Sequence, residues 1–234
     1  MPIKLVCLDA DDTLWHNMRH FDEAERALIA LIALMEPFAR AGVDRDALTA
    51  VETRNLHIYG YGAKSFTLSM IEAAIELCGD DLPMEAISGI LAAGRTLLQH
   101  PVELLPGIEE TLDRLADIAP LVLVTKGELL HQEVKLAASG LGDRFSSIEI
   151  VSDKKTETFE RLFARFGVEP EQAVMAGDSM RSDVLPAPAA GAHAAFIPQP
   201  LSWSHEAAAH PQAHPRFRQL ESLAELPGWI ATLP

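Results

Sequence analysis

The half of the chain that begins near residue 100 constrains the fold most, because short apolar runs alternate there with amphipathic segments. The apolar runs predict strands at LVLVT (121–125), SIEIVS (147–152), AVMAGD (173–178) and AAFIP (194–198). The amphipathic segments GIEETLDRLADI, ELLHQEVKLAAS and TETFERLFARF predict helices, and Gly140 and Gly167 stand where helix C-termini favour a left-handed residue. Such alternation indicates a parallel sheet with helices on both faces.

The N-terminal run IKLVCLD (3–9) has the continuous apolar character of a central strand, so we expect it in the same sheet. The segment that follows shows almost no strand pattern, and its helical patterns cover residues 21–35, 46–57, 65–78 and 83–99. We therefore predict an α/β fold whose doubly wound, Rossmann-like parallel-sheet core comprises residues 1–15 and 101–234. Residues 16–100 are predicted to form an inserted, all-helical cap domain.

Composition narrows the range of partners. The formal net charge of −15 argues against nucleic-acid or acidic-membrane partners, since both need an extended basic surface. No apolar run approaches the roughly 20 residues of a membrane span, and the N-terminus lacks a signal-peptide pattern, so we expect a cytoplasmic protein. Cys7 and Cys78 lie far apart and predict packing roles rather than a disulfide framework or a zinc site. A monomer and a homodimer both fit the sequence.

Polar residues follow four of the five predicted strands at their carboxyl ends, where open parallel sheets bind ligands. The acids, hydroxyls and ammonium groups at this edge belong to Asp9, Asp11, Thr13, Thr125, Lys126, Asp153, Lys154, Lys155, Asp178, Ser179 and Asp183. This set suits phosphoryl transfer with Mg²⁺, a cation that prefers hard oxygen ligands. In such chemistry one aspartate acts as nucleophile and a second, two residues on, as general acid and then base. A lysine and a threonine stabilise the charge on the equatorial oxygens.

These strand ends match, in order and across nearly the whole chain, the four motifs of the haloacid dehalogenase-like hydrolase superfamily, which the chain resembles. CLDADDTL resembles the first motif, Thr125 the second, a lysine the third and GDSMRSD the fourth. The resemblance implies that Asp9 becomes an aspartyl-phosphate and that Asp11 is the acid/base, whose backbone carbonyl binds the metal. It also implies that Asp178 and Asp183 lie at the metal, although Asp183 has the alternative of capping the helix that begins near Ser182.

Two positions depart from the family pattern or leave it ambiguous. Relatives usually carry glycine where this chain has Asp12, and we expect the Asp12 carboxylate to be solvated or to cap a helix rather than to act in catalysis. The third motif offers both Lys154 and Lys155. In relatives the lysine often precedes an aromatic residue on the next helix by five residues, so Phe159 selects Lys154.

Residues for substrate binding are predicted at two places. Thr125, Lys126 and Gly127 follow the second strand of the core and are expected to bind the substrate. In the cap, YGYGAKSF (59–66) joins two predicted helices, and Tyr61 and Lys64 either reach the leaving group of the substrate or belong to a plain helix connection. The His-rich stretch HEAAAHPQAHPRFR (205–218) is expected to be an exposed loop.

The position of the cap resembles the phosphatase branch whose helical caps lie between the first and second motifs. We therefore predict a Mg²⁺-dependent phosphatase that hydrolyses a small phosphorylated metabolite. A haloacid dehalogenase shares the fold and the nucleophile, but those relatives lack the second aspartate, so Asp11 favours phosphate. A phosphomutase would use the same residues. A catalytically idle module that only binds a metal or phosphate is the alternative from outside enzymes.

Overall fold

The computed structural model describes residues 2–33 and 45–234. The chain divides into two compact units, one comprising Met1–Met18 and Val102–Pro234 and the other Arg19–Pro101. The strands are β1 (Leu5–Leu8), β2 (Leu121–Lys126), β3 (Ser147–Val151), β4 (Ala173–Gly177), β5 (His193–Phe196) and β6 (Phe217–Gln219). The helices are α1 (Met18–Ala33), α2 (Arg45–Tyr59), α3 (Ala63–Cys78), α4 (Met84–Leu98), α5 (Ile108–Ala116), α6 (Leu129–Ser139), α7 (Thr156–Phe166), α8 (Pro186–Ala189) and α9 (Leu226–Ile230).

The first unit contains a six-stranded sheet in the order β3-β2-β1-β4-β5-β6, and every pairing is parallel. β1 lies between β2 and β4, with Cys7 in register with Val122 on one side and Met175 on the other. All four residues of β1 are buried, because helices cover both faces of the sheet. The predicted doubly wound α/β fold is therefore confirmed.

Alternate residues of β1 enter two separate apolar cores, as the period-two direction of strand side chains requires. Leu5 and Cys7 belong to the core that contains Phe159 of α7. Val6 and Leu8 belong to the core that contains Leu112 of α5 and parts of α6 and α9. Packing on both faces fixes the position of β1, and with it the point at which Asp9 leaves the strand.

The second unit is helical throughout its described regular structure, in residues 19–33 and 45–101. Its core is lined by apolar residues of α2, α3 and α4, among them Leu48, Met70 and Ile90. α3 and α4 pack closely, because a side-chain carbon added at Gly94 would lie 2.2 Å from Oγ1 of Thr67. An inserted helical unit was predicted from the sequence, and the fold contains one.

Several boundaries differ from the sequence-based predictions. The helix predicted at 21–35 begins earlier, at Met18, and residues 34 and 35 lie outside the described part of the chain. The stretch HEAAAHPQAHPRFR is largely irregular and exposed, as expected, but its two ends are not. Phe217 and Arg218 pair with β5 in the edge strand β6, and Glu206 is largely buried.

Cys7 is buried and Cys78 half-buried, and both are free thiols. Among the described residues, no helix combines the length and apolar character needed to cross a membrane.

Candidate active site

A tight turn after β1 presents the first group of polar side chains. The amide of Asp9 donates to the carbonyl of Ala176 at 2.9 Å, and the amide of Leu14 closes the turn on the carbonyl of Ala10 at 2.8 Å. Asp12 takes the left-handed conformation here, with φ of 58°. A residue with positive φ explains why glycine is usual at this place in the family, and aspartate is among the residues that tolerate it.

The Asp12 carboxylate caps the chain that enters α1. It accepts hydrogen bonds from the amides of Asn17 and Met18, each at 2.9 Å. Burial raises the pKa of Asp12 to about 7. Of the two fates expected for Asp12, the structure assigns the capping one, because the side chain is only 7% exposed.

Asp9 lies at the centre of a buried network of charges. Nζ of Lys154 donates to Oδ1 of Asp9 and, at 2.6 Å, to Oδ1 of Asp183. The hydroxyl of Thr13 donates to Oδ2 of Asp9 at 3.1 Å. Burial disfavours the charged form of Lys154, but the carboxylates of Asp183 and Asp9 outweigh it and raise the pKa of this lysine above its usual value. Lys155, the other lysine considered, is exposed and lies 3.6 Å from Asp153.

Three carboxylates meet in one cluster. Oxygen atoms of Asp9, Asp178 and Asp183 all lie within 4.8 Å of one another. Burial, together with the charges of Asp9 and Asp183, raises the pKa of Asp178 well above its usual range. Burial is also the largest cause that raises the pKa of Asp183 to about 7, against the opposing charge of Lys154. Clustered oxygen ligands that repel one another are the donor set that a hard divalent cation requires.

Asp183 is fixed by the backbone around it. It belongs to a π-helical turn, Met180–Val184, and its Oδ2 accepts the amide of Ser179 at 3.0 Å. β4 approaches this carboxylate so closely that a side-chain carbon at Gly177 would lie 2.1 Å from Oδ2. The two sequence-based alternatives for Asp183 are therefore not exclusive, since its carboxylate accepts a backbone amide and also faces Lys154 and Asp9.

Asp11 lies beside a different set of donors. Nζ of Lys135 lies 2.6 Å from each of its carboxylate oxygens. Nε1 of Trp15 donates to Oδ1 at 2.7 Å, and Nε2 of Gln132 donates to Oδ2 at 3.1 Å. Burial acts to raise the pKa of Asp11, but Lys135, Trp15 and Gln132 outweigh it, so this pKa lies below its usual value. Asp11 is thus held as a carboxylate.

The end of β2 places its three predicted residues in distinct surroundings. Thr125 is buried, and its hydroxyl oxygen accepts a hydrogen bond from Nε2 of Gln132. Gly127 packs against the same glutamine, because a side-chain carbon there would lie 3.3 Å from Cγ and Cδ of Gln132. Lys126 turns toward Ser182, whose hydroxyl lies 2.9 Å from Nζ, and toward Glu206.

Glu206 joins the ends of β2 and β4. Its carboxylate accepts hydrogen bonds from Lys126 and from the hydroxyls of Ser179 and Ser182. Burial opposes ionisation, but Lys126 outweighs it and lowers the pKa of Glu206. This residue comes from the stretch predicted to be exposed, and the sequence carried no periodicity that could have identified it.

Tyr61 and Lys64 belong to the helical unit. Tyr61 is half-buried in the turn between α2 and α3, and Lys64 is exposed in the first turn of α3.

Sequence reasoning missed Gln132 and Lys135, which are 3% and 4% exposed. A signal did exist, because Gln132, Lys135 and Leu136 share the i, i+3, i+4 spacing of one buried helical face. A polar pair on such a face requires a polar partner.

Comparisons with known proteins agree with this geometry. The haloacid dehalogenase-like hydrolase family profile matches residues 3–191. Over 189 residues, 78% of this chain and 75% of the relative, the chain is 28% identical to a glyceraldehyde 3-phosphate phosphatase of Pyrococcus furiosus.

Solved structures give the same result. A haloacid dehalogenase-like family hydrolase from Xanthomonas campestris is 38% identical, with a TM-score of 0.86, and the match covers 99% of this chain and 91% of that one. A 2-haloacid dehalogenase from Pseudomonas syringae pv. Tomato DC3000 is 26% identical with a TM-score of 0.64, over 98% of both chains.

Proposed function

The chain belongs to the haloacid dehalogenase-like hydrolases, and we propose that within this family it is a Mg²⁺-dependent phosphatase of small phosphate monoesters. One observation carries the proposal. A second aspartate, Asp11, stands two residues after the buried Asp9, and each of the two carboxylates is paired with its own buried lysine. Hydrolysis of a phosphate ester needs both a nucleophile and a group that protonates the leaving oxygen.

The cation would be held by Asp9, Asp178, Asp183 and the backbone carbonyl of Asp11. The clustered carboxylates fit a hard divalent ion, since its charge would offset the repulsion that raises the pKa of Asp178. When bound, Mg²⁺ supplies charge stabilisation for the phosphoryl oxygens and relieves their repulsion by the carboxylates.

The proposed reaction uses the residues of the chain in two half-reactions. In the first, an Asp9 oxygen attacks phosphorus, the bond from phosphorus to the leaving oxygen breaks, and the proton of the monoanionic ester passes through the Asp11 carboxylate to that oxygen. In the second, Asp11 removes a proton from water, the resulting hydroxide attacks the aspartyl-phosphate, and Asp9 and inorganic phosphate are released. Lys154 and the hydroxyl of Thr125 stabilise the equatorial oxygens.

Substrate selection is proposed for two groups of residues. The Thr125 hydroxyl accepts from Gln132, so its own hydrogen is left to donate to a phosphoryl oxygen. Residues 16–100 are proposed as the cap, with Tyr61 and Lys64 as its substrate contacts. The relative from Pyrococcus furiosus acts on glyceraldehyde 3-phosphate by its name, which makes three-carbon phosphates the first esters to test.

The test is release of inorganic phosphate by the full chain from three-carbon phosphates, sugar phosphates and an aryl phosphate. We expect activity that requires Mg²⁺, is abolished by EDTA, and falls by at least about 10³-fold in Asp9→Asn. The matched control is Asp143→Asn, an exposed acid in the turn Gly142–Arg144, which should keep full activity.

Three outcomes would contradict the proposal. Release of chloride from 2-chloropropionate without phosphatase activity would instead support a dehalogenase, the activity named for the relative from Pseudomonas syringae. Binding of Mg²⁺ and phosphate with no turnover of any ester would support a non-catalytic module. Transfer of the phosphoryl group between positions of a sugar phosphate, in preference to water, would support a phosphomutase.

A further inference from the structure

The carboxylate of Asp11 accepts hydrogen bonds from residues that do not contact Asp9, Asp178 or Asp183 in the hydrogen bonds described above. Lys135 lies at 2.6 Å from both oxygens, and its Nζ also donates to Oδ1 of Asn17 at 3.2 Å. Trp15 donates from the core, since its side chain is 1% exposed. Asp11 therefore has a defined position before any substrate arrives.

Gln132 connects Asp11 to Thr125. A side-chain amide carries two hydrogens on its nitrogen, and Nε2 of Gln132 donates to Oδ2 of Asp11 and to the hydroxyl oxygen of Thr125. Both hydrogen bonds come from one nitrogen, so a displacement of Gln132 would disturb Asp11 and Thr125 together. Gly127 leaves room for the glutamine, whose Cγ and Cδ lie 3.3 Å from where a side-chain carbon would stand.

Lys135 and Gln132 stand on rigid support. They lie one turn apart on the buried face of α6, next to Leu136, which packs into the apolar core on one face of the sheet. A catalytic group is positioned best when the residues around it are locked by packing. α6 meets this requirement through its own core contacts.

We propose that Lys135 and Gln132 are positioning residues that hold Asp11 and Thr125 as one unit for the protonation of the leaving group. The inference rests on the proposed phosphatase function and deepens it. Lys135 fixes the direction of the Asp11 carboxylate, and Gln132 fixes its distance from the hydroxyl that binds the phosphoryl group. Neither is proposed to touch the substrate, so both act through Asp11 and Thr125.

A purely structural role is the competing explanation, because a buried lysine paired with a buried acid is destabilising to break whatever its function. The dependence of kcat on the leaving group distinguishes a positioning role from a purely structural one. A nitrophenolate leaves without help from an acid, whereas an alkoxide leaves only when it is protonated. Poor positioning of Asp11 therefore slows alkyl esters more than aryl esters, while general loss of folded enzyme slows both equally.

The experiment measures kcat and KM of wild type, Lys135→Met and Gln132→Leu with p-nitrophenyl phosphate and with the best alkyl phosphate of the panel. We expect kcat for the alkyl ester to fall at least about tenfold further than kcat for the aryl ester in both variants. Asp11→Asn sets the upper limit of the difference, at about 10²–10⁴-fold. Lys135→Arg should restore part of the loss, and Lys4→Met, at an exposed site, should match wild type.

Gln132→Leu keeps the ion pair of Lys135 with Asp11, so it remains informative if Lys135→Met does not fold. Equal losses on the two esters in Gln132→Leu, or no loss, would overturn the inference. A wild type active on aryl but on no alkyl ester would overturn it as well, since no protonation step would then exist to be positioned. A wild type inactive on every ester would instead refute the proposed function, and the inference would fall with it.

Discussion

Replacing Gly177 by alanine tests how closely β4 approaches the acid cluster. A side-chain carbon at this position would lie 2.1 Å from Oδ2, 2.4 Å from Cγ and 2.9 Å from Cβ of Asp183. Ordinary contact begins at 3.4 Å, so Oδ2 would have to move by 3.4 − 2.1 = 1.3 Å. Asp183 has little space for this movement, because it is 1% exposed and its carboxylate is bonded to the amide of Ser179 and to Lys154.

The magnitude follows from these contacts. Overpacking a buried site costs about 1–3 kcal/mol of unfolding free energy. Displacing Asp183 also breaks a hydrogen bond to a charged group, which costs about 1.5–3 kcal/mol. We expect Gly177→Ala to lower the unfolding free energy by about 2.5–6 kcal/mol, and a displacement of this size in a proposed metal ligand to lower kcat by about 10²-fold.

Urea unfolding and phosphate release measure the two effects. The matched control is Gly142→Ala, because an added carbon at Gly142 meets no atom within 4 Å. That variant should be neutral or more stable by up to about 1 kcal/mol, since alanine restricts the unfolded chain. If Gly177→Ala matched Gly142→Ala in stability and activity, the close packing of β4 on Asp183 would be refuted.

Three further predictions concern charged groups. Lys154→Met should lower the unfolding free energy in urea by about 3–5 kcal/mol, because it leaves buried acids unpaired, whereas Lys155→Met, at an exposed pair, should change it by less than about 1 kcal/mol. A double-mutant cycle of Lys126→Met and Glu206→Gln in the same assay should give a coupling of about 0.5–3 kcal/mol, and additivity would contradict their contact. Burial raises the pKa of Glu52 from 4.5 to about 7, so the unfolded chain ionises first and the free energy of unfolding should fall as the pH rises through this range. Glu52→Gln should make the urea midpoint fall less steeply with pH, since Asp12 and Asp183 titrate in the same range.

The sequence contained enough information to predict the sheet, because buried parallel strands are short, apolar and separated by amphipathic helices. It also contained the strand-end residues, since the carboxyl ends of parallel strands converge whatever the loops do. The helices α5, α6 and α7 were predicted within two residues for the same reason. Edge strand β6 was missed because three residues of edge strand, next to prolines and histidines, carry no periodic pattern.

Residues that act through long-range contacts were harder to predict. Glu206 reaches Lys126 across 80 positions of sequence, and nothing in the local pattern marks one glutamate of an irregular segment as buried. Capping was one of the two fates expected for Asp12, because an acid six residues before a helix has a local partner in the amides at its start. Local partners can be inferred from spacing, whereas distant ones require the three-dimensional fold.

Lys154 and Lys135 are both buried and both pair with an aspartate of the first motif, but only Lys154 was predicted from the sequence. Asp9 and Asp11 are two residues apart, yet each is paired with its own lysine, Lys154 after β3 and Lys135 on α6. A buried and a half-buried carboxylate so close together would repel each other and resist ionisation unless each had its own compensating charge. Lys154 follows a strand and could be inferred from sheet topology. Lys135 lies in the middle of a helix, where lysine is usually solvated, so only its position on a buried face distinguishes it. Any relative that retains both acids should therefore also retain a cation, or another strong donor, at the α6 position.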